Sequence, residues 1–232
     1  DLGGFRVGAS DSIFGSWTDY AGNVIRDDVI NYQSGMSNQI SYTYKAGGGF
    51  SAIIAAEQGQ NGSSALGGNY LIRDYMPHVL VGAKYESGGN KLAGVIGYDS
   101  NVDDVAAKLR LDVKLTDKIS IFAMGGYQSD YNHGTFNPNE RNFYGAWEGD
   151  WAAWGGLSAE LSKKLTFRSQ AAYEESGTYS LVANVSYHVV PGLTLTPEIQ
   201  YTKFDGARKT LSRTLADKDE AFGGMIRMQR NF

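Results

Sequence analysis

Apolar and polar residues alternate strictly along segments of about ten residues, and this alternation constrains the fold more than any other feature. The clearest case is Val105–Leu115, in which every odd position is apolar or small and every even position from 108 onward is charged. A period of two is that of a β-strand whose two faces meet different environments. Because Lys108, Arg110 and Asp112 carry too much charge for a packed interior, we predict that their face meets water and the apolar face meets lipid.

The same pattern recurs in Gln39–Lys45, Leu165–Tyr173 and Leu193–Tyr201. Short turns containing Gly, Asp, Ser or Pro alternate with longer polar connections, as in a barrel with turns at one end and loops at the other. We therefore predict an all-β fold, an antiparallel up-and-down transmembrane β-barrel with about 12 strands in this chain. Residues 1–232 are expected to form one barrel domain. The predicted long connections are 10–37, 59–77, 101–104, 130–150, 175–178 and 205–221.

The composition is compatible with this fold and excludes several others. Of the 232 residues, 42% are hydrophobic, and no apolar run approaches the ~18–20 residues of a membrane-spanning helix. A formal net charge of −4 argues against a nucleic-acid partner. The chain has no Cys and only three separated His, so we expect neither a metal site nor a cofactor. Because the sequence starts at Asp1 without a Met or a signal peptide, we expect a processed form or a fragment.

Aromatic residues gather near the ends of the predicted strands, where a membrane barrel carries an aromatic girdle at each interface. A soluble barrel would instead turn the apolar faces inward, and small residues such as Ala107 and Ala171 would not fill an interior that wide. The predicted girdle residues are Tyr42, Tyr44, Tyr85, Tyr98, Tyr127, Trp151, Trp154, Tyr173, Tyr187 and Tyr201.

The end of the chain, Phe222–Phe232, also alternates and closes on an aromatic residue. This ending looks like the last strand of a bacterial outer-membrane barrel, so we predict that Phe232 is an assembly signal. Arg230 departs from the pattern, since an apolar residue is expected there. In a closed barrel this strand pairs with the first one, and we expect its true partner to be missing because the strand at 3–9 looks like an interior strand.

Particular stretches of residues, and not only the alternating pattern, are characteristic, for example WTDYAGN at 17–23 and WAAWGG at 151–156. On these stretches and those given below, the chain resembles the alphaproteobacterial (rhizobial-type) outer-membrane general porins. The resemblance implies a 16-stranded family barrel, of which this chain matches the last twelve strands. It also implies the outer membrane as location, lipopolysaccharide and lipid as surroundings, a homotrimer, and passive diffusion of small hydrophilic solutes and ions. The further matching stretches are Leu2–Gly8, Asp27–Asp28, Gln39–Tyr44, Gly48–Ala52, Val189–Gly192, Thr196–Glu198 and Ala221–Phe232.

By the same resemblance, residues 10–37 correspond to a loop that folds into the barrel and narrows it. The loop carries the acids Asp19, Asp27 and Asp28, with Trp17 and Tyr20 as packing residues. Acids on the loop and bases on the facing wall would set a field across the pore. An ordinary outer loop with solvated charges is the alternative. Strand parity gives the inward-facing bases as Arg6, Lys84, Lys108, Arg110, Arg168 and Arg227.

Two other functional classes are open to an outer-membrane barrel. An enzyme needs a Ser or Asp beside a His near the outer rim, and His78 and His133 have no recognisable partner motif. We therefore expect no enzyme. The alternative function is a non-conducting structural or adhesive barrel that acts through its extracellular loops. Such a barrel should have an uncharged or apolar interior, whereas the polar faces here are charged.

Overall fold

The computed structural model describes residues 4–61, 68–131 and 141–231, which form one antiparallel sheet of 12 strands. Each strand pairs with the next one along the chain, which confirms the predicted up-and-down order. Among the described residues no pairing joins β1 to β12, and Phe232 lies outside them. The strands are β1 Phe5–Asp11, β2 Met36–Lys45, β3 Phe50–Glu57, β4 His78–Ser87, β5 Asn90–Asp99, β6 Asp104–Lys114, β7 Ile119–Gln128, β8 Trp151–Ser162, β9 Leu165–Glu174, β10 Tyr179–Val190, β11 Leu193–Lys203 and β12 Glu220–Arg230.

Short turns join the strands at one end of the sheet. The other end carries the long connections, together with two four-residue connections at 100–103 and 175–178. The turn between β4 and β5 shows the local cause, because Gly88 and Gly89 have φ values of 59° and 83°. Two consecutive positive φ angles suit a tight hairpin turn and favour glycine. Between β10 and β11, Pro191 is followed by Gly192 at φ 79°, the order that a type II turn requires.

The outward face of the sheet is apolar and exposed, with Leu109 58% and Ile96 52% accessible. Aromatic residues such as Tyr85, Tyr127 and Trp151 are exposed on this face. The assignment of Trp154 to the girdle was wrong. Trp154 is only 2% exposed, since parity with the buried Ala152 turns it to the inner face, where it packs under a loop.

Helices occupy little of the chain, and the sequence pattern did not predict them. Helix α1, Ile13–Ser16, follows β1, and helix α2, Gly206–Ala216, lies in the connection between β11 and β12. Helix α2 begins after Asp205, whose carboxylate accepts a hydrogen bond from the Gly206 amide at 2.9 Å. In the described ranges, no helix has the length and apolar character of a membrane-spanning helix.

The hydrophobic core lies on the inner face and not between two sheets. Strands β3 to β8 contribute inward apolar residues such as Ile53, Leu80, Val95 and Met124. We call the inner face of β3–β8 the apolar wall. The inner face of β9–β12, which we call the polar wall, carries mainly Ser, Thr, Asn, Gln, Glu and Arg. The two walls therefore offer different partners to any segment that lies between them.

Candidate functional site

Residues 12–35, between β1 and β2, lie across the inner face of the sheet, and we call them the inner loop. The loop begins at Ser12, and its first anchor is Glu57 at the end of β3. The Glu57 carboxylate accepts hydrogen bonds from Ser12 Oγ and the Ile13 amide, both at 2.8 Å. Tyr144 Oη also donates to it at 3.3 Å. Because all these groups are buried, the anchor fixes where the loop leaves the sheet edge.

Aromatic rings attach the inner loop to the apolar wall and to the connection that precedes β8. Phe14 packs on Tyr144 and Trp147, with ring centroids 5.2 and 6.5 Å apart. Tyr32 meets Trp154 edge to face at 5.9 Å. Trp154 Nε1 also donates to the carbonyl oxygen of Ile30 at 2.9 Å. The contact is therefore a packed core that includes a buried hydrogen bond from the Trp154 indole, and water is excluded from it.

Glycines on the apolar wall make room for these rings. A Cβ added at Gly97 would lie 2.6 Å from the Tyr144 ring, and one at Gly126 would lie 2.8 Å from the Trp147 ring. The neighbouring Gly125 faces outward, and a Cβ there would meet nothing within 4 Å. The inner wall thus has hollows that match the loops, and the outer face beside them does not.

Two of the predicted bases lie on the apolar wall beneath the inner loop. Lys108 is 2% exposed, and its Nζ donates to the carbonyl oxygen of Tyr32 at 2.8 Å and lies 4.7 Å from the Phe14 ring centroid. Arg110 forms a two-pronged pair with Asp112 at 2.7 and 2.8 Å and donates to the carbonyl oxygen of Ala21 at 3.2 Å. These cations satisfy backbone carbonyls of the loop, which have no helix or sheet partner.

The third predicted base on this wall is Lys84. Its Nζ lies 4.8 Å from the Trp17 ring centroid, a cation–π geometry, so Lys84 holds this loop residue against the wall. Tyr20, the other predicted packing residue, is 59% exposed. Its carbonyl oxygen accepts from Arg110, so its main chain contacts the wall and its ring does not pack there.

The tip of the inner loop reaches the polar wall. Glu198 on β11 accepts hydrogen bonds from the Ile25 amide, from the Arg26 amide at 2.9 Å and from Asn184 Nδ2 at 2.9 Å. On β9, Gln170 Nε2 donates to the carbonyl oxygen of Asp27 at 2.8 Å. The loop therefore spans the inner face from β3 to β11, and its contacts change from aromatic to hydrogen-bonded on the way.

The three predicted loop acids have three different environments. Asp19 pairs with Lys91 on β5, and Lys91 also lies 3.1 Å from Asp112. Asp27 is half-buried and accepts from Tyr32 Oη; burial raises the pKa of Asp27, opposed by that hydrogen bond. Burial and the bond to Asp27 raise the pKa of Tyr32, so it stays protonated. Asp28 is exposed at the loop surface.

The other predicted bases lie apart from these acids. Arg168 donates to Ser186 Oγ at 2.8 Å on the polar wall, and it is close enough to Arg227 on β12 for the two to repel each other. Arg6 on β1 is exposed and approaches Ser10 Oγ at 3.4 Å. By register, Arg168 lies two residues nearer the short turns than Gln170, which holds the loop. These three cations face the inner space without touching the loop.

Sequence reasoning missed the residues that hold the loop at each end, Glu57 and Glu198, and the partner of Asp19, Lys91. Each has the parity of an inward position, which was the available signal. A second connection also folds inward. In its described part, 141–150, Phe143 donates its amide to Asp99 at 2.7 Å, and Arg141 pairs with Glu148 at 2.8 Å.

No group of three or more His, Cys, Asp or Glu in the described parts of the chain has the proximity of a metal site. The groups gathered around the inner loop are instead hydrogen-bond donors, carboxylates and cations arranged along a wall. Such an arrangement can sort solutes by size and charge, which needs no covalent chemistry.

An up-and-down sheet with an apolar outward face, a charged inner face and a loop bound across that inner face defines a channel-like outer-membrane β-barrel. Solved barrels have the same fold. The outer membrane channel DcaP of Acinetobacter baumannii matches 98% of this chain and 71% of its own at a TM-score of 0.68 and 16% identity. The anion-selective porin of Comamonas acidovorans matches 97% of this chain and 71% of its own at a TM-score of 0.52 and 14% identity.

The family model described as "Porin subfamily" matches residues 1–225, so the chain belongs to this porin family of the bacterial outer membrane. Porin Omp2b of Brucella suis biovar 1 is 46% identical over 233 residues, and so is porin Omp2b of Brucella abortus strain 2308. Each alignment covers 100% of this chain and 61% of the relative. The chain therefore spans about three fifths of the length of the curated relatives it matches.

Proposed function

We propose that the protein is a passive diffusion channel for small hydrophilic solutes and ions, and that the inner loop forms its constriction. The observation that carries this proposal is the span of the loop from Glu57 on β3 to Glu198 on β11. A surface loop with solvated charges would not bury its amides against opposite parts of the inner face. A loop bound at both ends narrows the space it crosses and holds that width against thermal motion.

The open passage runs along the polar wall. Supporting this route, Arg227 on β12 is exposed and Arg168 on β9 is partly exposed, whereas Lys108 and Arg110 on the apolar wall are covered by the loop. Arg6 on β1, outside both walls, is also exposed. We therefore divide the predicted bases into two groups. Lys84, Lys108 and Arg110 hold the loop, and Arg6, Arg168 and Arg227 line the water-filled side, where their charge acts on passing solutes.

Single-channel recording in a planar lipid bilayer tests the channel. Folded protein should give discrete conductance steps that scale with salt concentration. A variant with Glu198→Ala, which releases the tip of the loop, should give larger or noisier steps, because the constriction widens or fluctuates. Protein that is folded by circular dichroism and inserts without any step at any salt concentration would contradict the proposal.

A non-conducting adhesive barrel is not favoured, because its interior should be uncharged, and the polar wall carries exposed Arg227. No bond chemistry is part of the proposed mechanism, so we propose that the protein is not an enzyme. Its proposed partners are outer-membrane lipid, lipopolysaccharide and two further copies of the same chain. The exposed apolar outward face supports contact with lipid or a neighbouring copy. The mass of the detergent-solubilised complex tests the trimer, and a monomer mass would contradict it.

A further inference from the structure

A cavity of about 180 Å³ lies where the inner loop, two outer connections and helix α2 meet. Asp28 and Ser34 line it from the inner loop, and Arg141 and Asn142 line it from the connection before β8. Arg208 on helix α2 completes it. The cavity is at the long-loop end of the sheet, so a solute arriving from that side reaches it before it reaches Arg168, which lies nearer the short turns.

Two buried polar groups in this cavity have no hydrogen-bond partner among the described residues. Ser34 is 7% and Asn142 is 5% exposed, and neither Ser34 Oγ nor Asn142 Nδ2 makes a hydrogen bond within the described structure. The other amide atom of Asn142 is occupied, because Oδ1 accepts from the Tyr144 amide at 2.9 Å, which fixes the orientation of the side chain. A buried donor without a partner is costly, so the cavity favours a bound molecule that accepts from Asn142.

The charges around the cavity are also only partly used. Arg208 binds Glu174 through Nε at 2.6 Å and Nη2 at 3.1 Å, which leaves its Nη1 without a hydrogen bond to the described residues. Asp28 makes no hydrogen bond or ion pair with the part of the chain that the structure describes. Arg141, by contrast, is engaged by Glu148 at 2.8 Å. The cavity thus offers a carboxylate from the inner loop and two N–H donors from other elements.

We propose that this cavity binds a small zwitterionic solute of amino-acid size before it passes the inner loop. Its ammonium group pairs with Asp28, and its carboxylate accepts from Asn142 Nδ2 and Arg208 Nη1. The size agrees, since a cavity of about 150 Å³ holds benzene, with six heavy atoms, and alanine has as many. This inference rests on the proposed function and adds a solute class to it.

Equilibrium dialysis of the folded, detergent-solubilised full chain against radiolabelled L-alanine tests the proposal. We expect saturable binding at one site per chain. Sodium acetate, ethylammonium chloride and glycerol, each at the concentration that unlabelled alanine needs, should compete poorly. Acetate carries only the anion and ethylammonium only the cation, and glycerol is an uncharged polar solute of the same number of heavy atoms as alanine.

Two variants remove one end of the site each. Asp28→Asn removes the partner of the ammonium group, and Asn142→Asp keeps the Oδ1 acceptor for Tyr144 while replacing the donor by an acceptor. Each should weaken alanine binding about tenfold, the size of one charge-assisted hydrogen bond. The control Asp74→Asn changes an exposed acid outside the cavity and should leave binding unchanged.

The proposal is overturned if alanine does not bind saturably, if acetate or glycerol competes as well as alanine, or if neither cavity variant weakens binding. Conductance recorded on the same preparation distinguishes a failure of the solute site from a failure of the diffusion channel on which it rests. Channels that conduct without binding alanine contradict only the solute site, whereas folded protein that does not conduct contradicts the diffusion channel.

Discussion

The apolar wall and the polar wall hold the same loop by different means. On the apolar wall, the Tyr32 ring packs against Trp154, whose indole also donates a buried hydrogen bond to the loop. Beside it, Phe14 packs against Tyr144 and Trp147 of the second inward connection. On the polar wall, Glu198 and Gln170 hold backbone groups of the loop, and Ala172 is the residue of this wall in the buried apolar cluster. Packing excludes water and fixes a position, whereas hydrogen bonds to a polar surface leave a wet passage beside the loop. In the proposed channel, the apolar wall is therefore the main anchor of the loop, and the polar wall holds its tip and borders the passage.

The largest expected effect is that of Trp154→Ala on the apolar wall. Removing a buried Trp should lower the free energy of unfolding by about 3–5 kcal/mol. Trp151→Ala on the same strand is the matched control. Trp151 is exposed and stacks on Tyr173 at 5.6 Å, so its loss should cost about 1 kcal/mol. Guanidinium unfolding followed by circular dichroism measures both, and equal losses would remove the distinction between the inner and outward faces.

A smaller effect is expected from filling the hollow under Trp147. Gly126→Ala places a methyl group against that ring and should cost about 1–3 kcal/mol. Gly125→Ala on the outward face should change stability by no more than about 0.5 kcal/mol. The same unfolding titration applies. If Gly126→Ala left the free energy of unfolding unchanged, Trp147 of the second inward connection would not pack closely against the wall at Gly126.

On the polar wall, Glu198→Gln should release the loop tip without unfolding the sheet. The amide keeps only one acceptor for three donors, so local opening should become about tenfold more frequent. Trypsin cleavage after Arg26 measures this opening. Glu160→Gln, which changes an exposed acid, is the control. An unchanged cleavage rate would mean that Glu198 does not hold the tip.

The smallest expected effect concerns pH. Burial raises the pKa of Asp27 in the folded protein, so the folded state holds this proton more tightly than the unfolded state. The stabilisation is therefore complete below the usual Asp pKa and is lost as pH rises through the raised pKa. Asp27→Asn should remove that dependence. Unfolding free energies of both proteins across acidic pH measure it, and parallel curves would contradict the burial of Asp27.

The fold was predictable because the alternation in segments such as Val105–Leu115 directly encodes two faces, and the turn residues fix the order of the strands. The apolar wall was not predictable from the sequence, because a strand covered on both faces loses its alternation of apolar and polar residues, as Val79–Val81 does. The odd or even position of a residue in a strand also tells which face its side chain is on, but not how far along the barrel axis it lies. For this reason it named Lys108 and Arg110 as inward and did not reveal that Lys91 is the partner of Asp19.

Cysteine accessibility tests the division between the walls most directly, because the chain has no Cys of its own. Arg168→Cys lies on the polar wall, and Ala106→Cys replaces a residue that is 0% exposed on the apolar wall. During single-channel recording, a charged water-soluble thiol reagent should change the current of Arg168→Cys stepwise and leave Ala106→Cys unchanged. Equal reaction at both positions, or none at Arg168→Cys, would contradict a passage that runs along the polar wall.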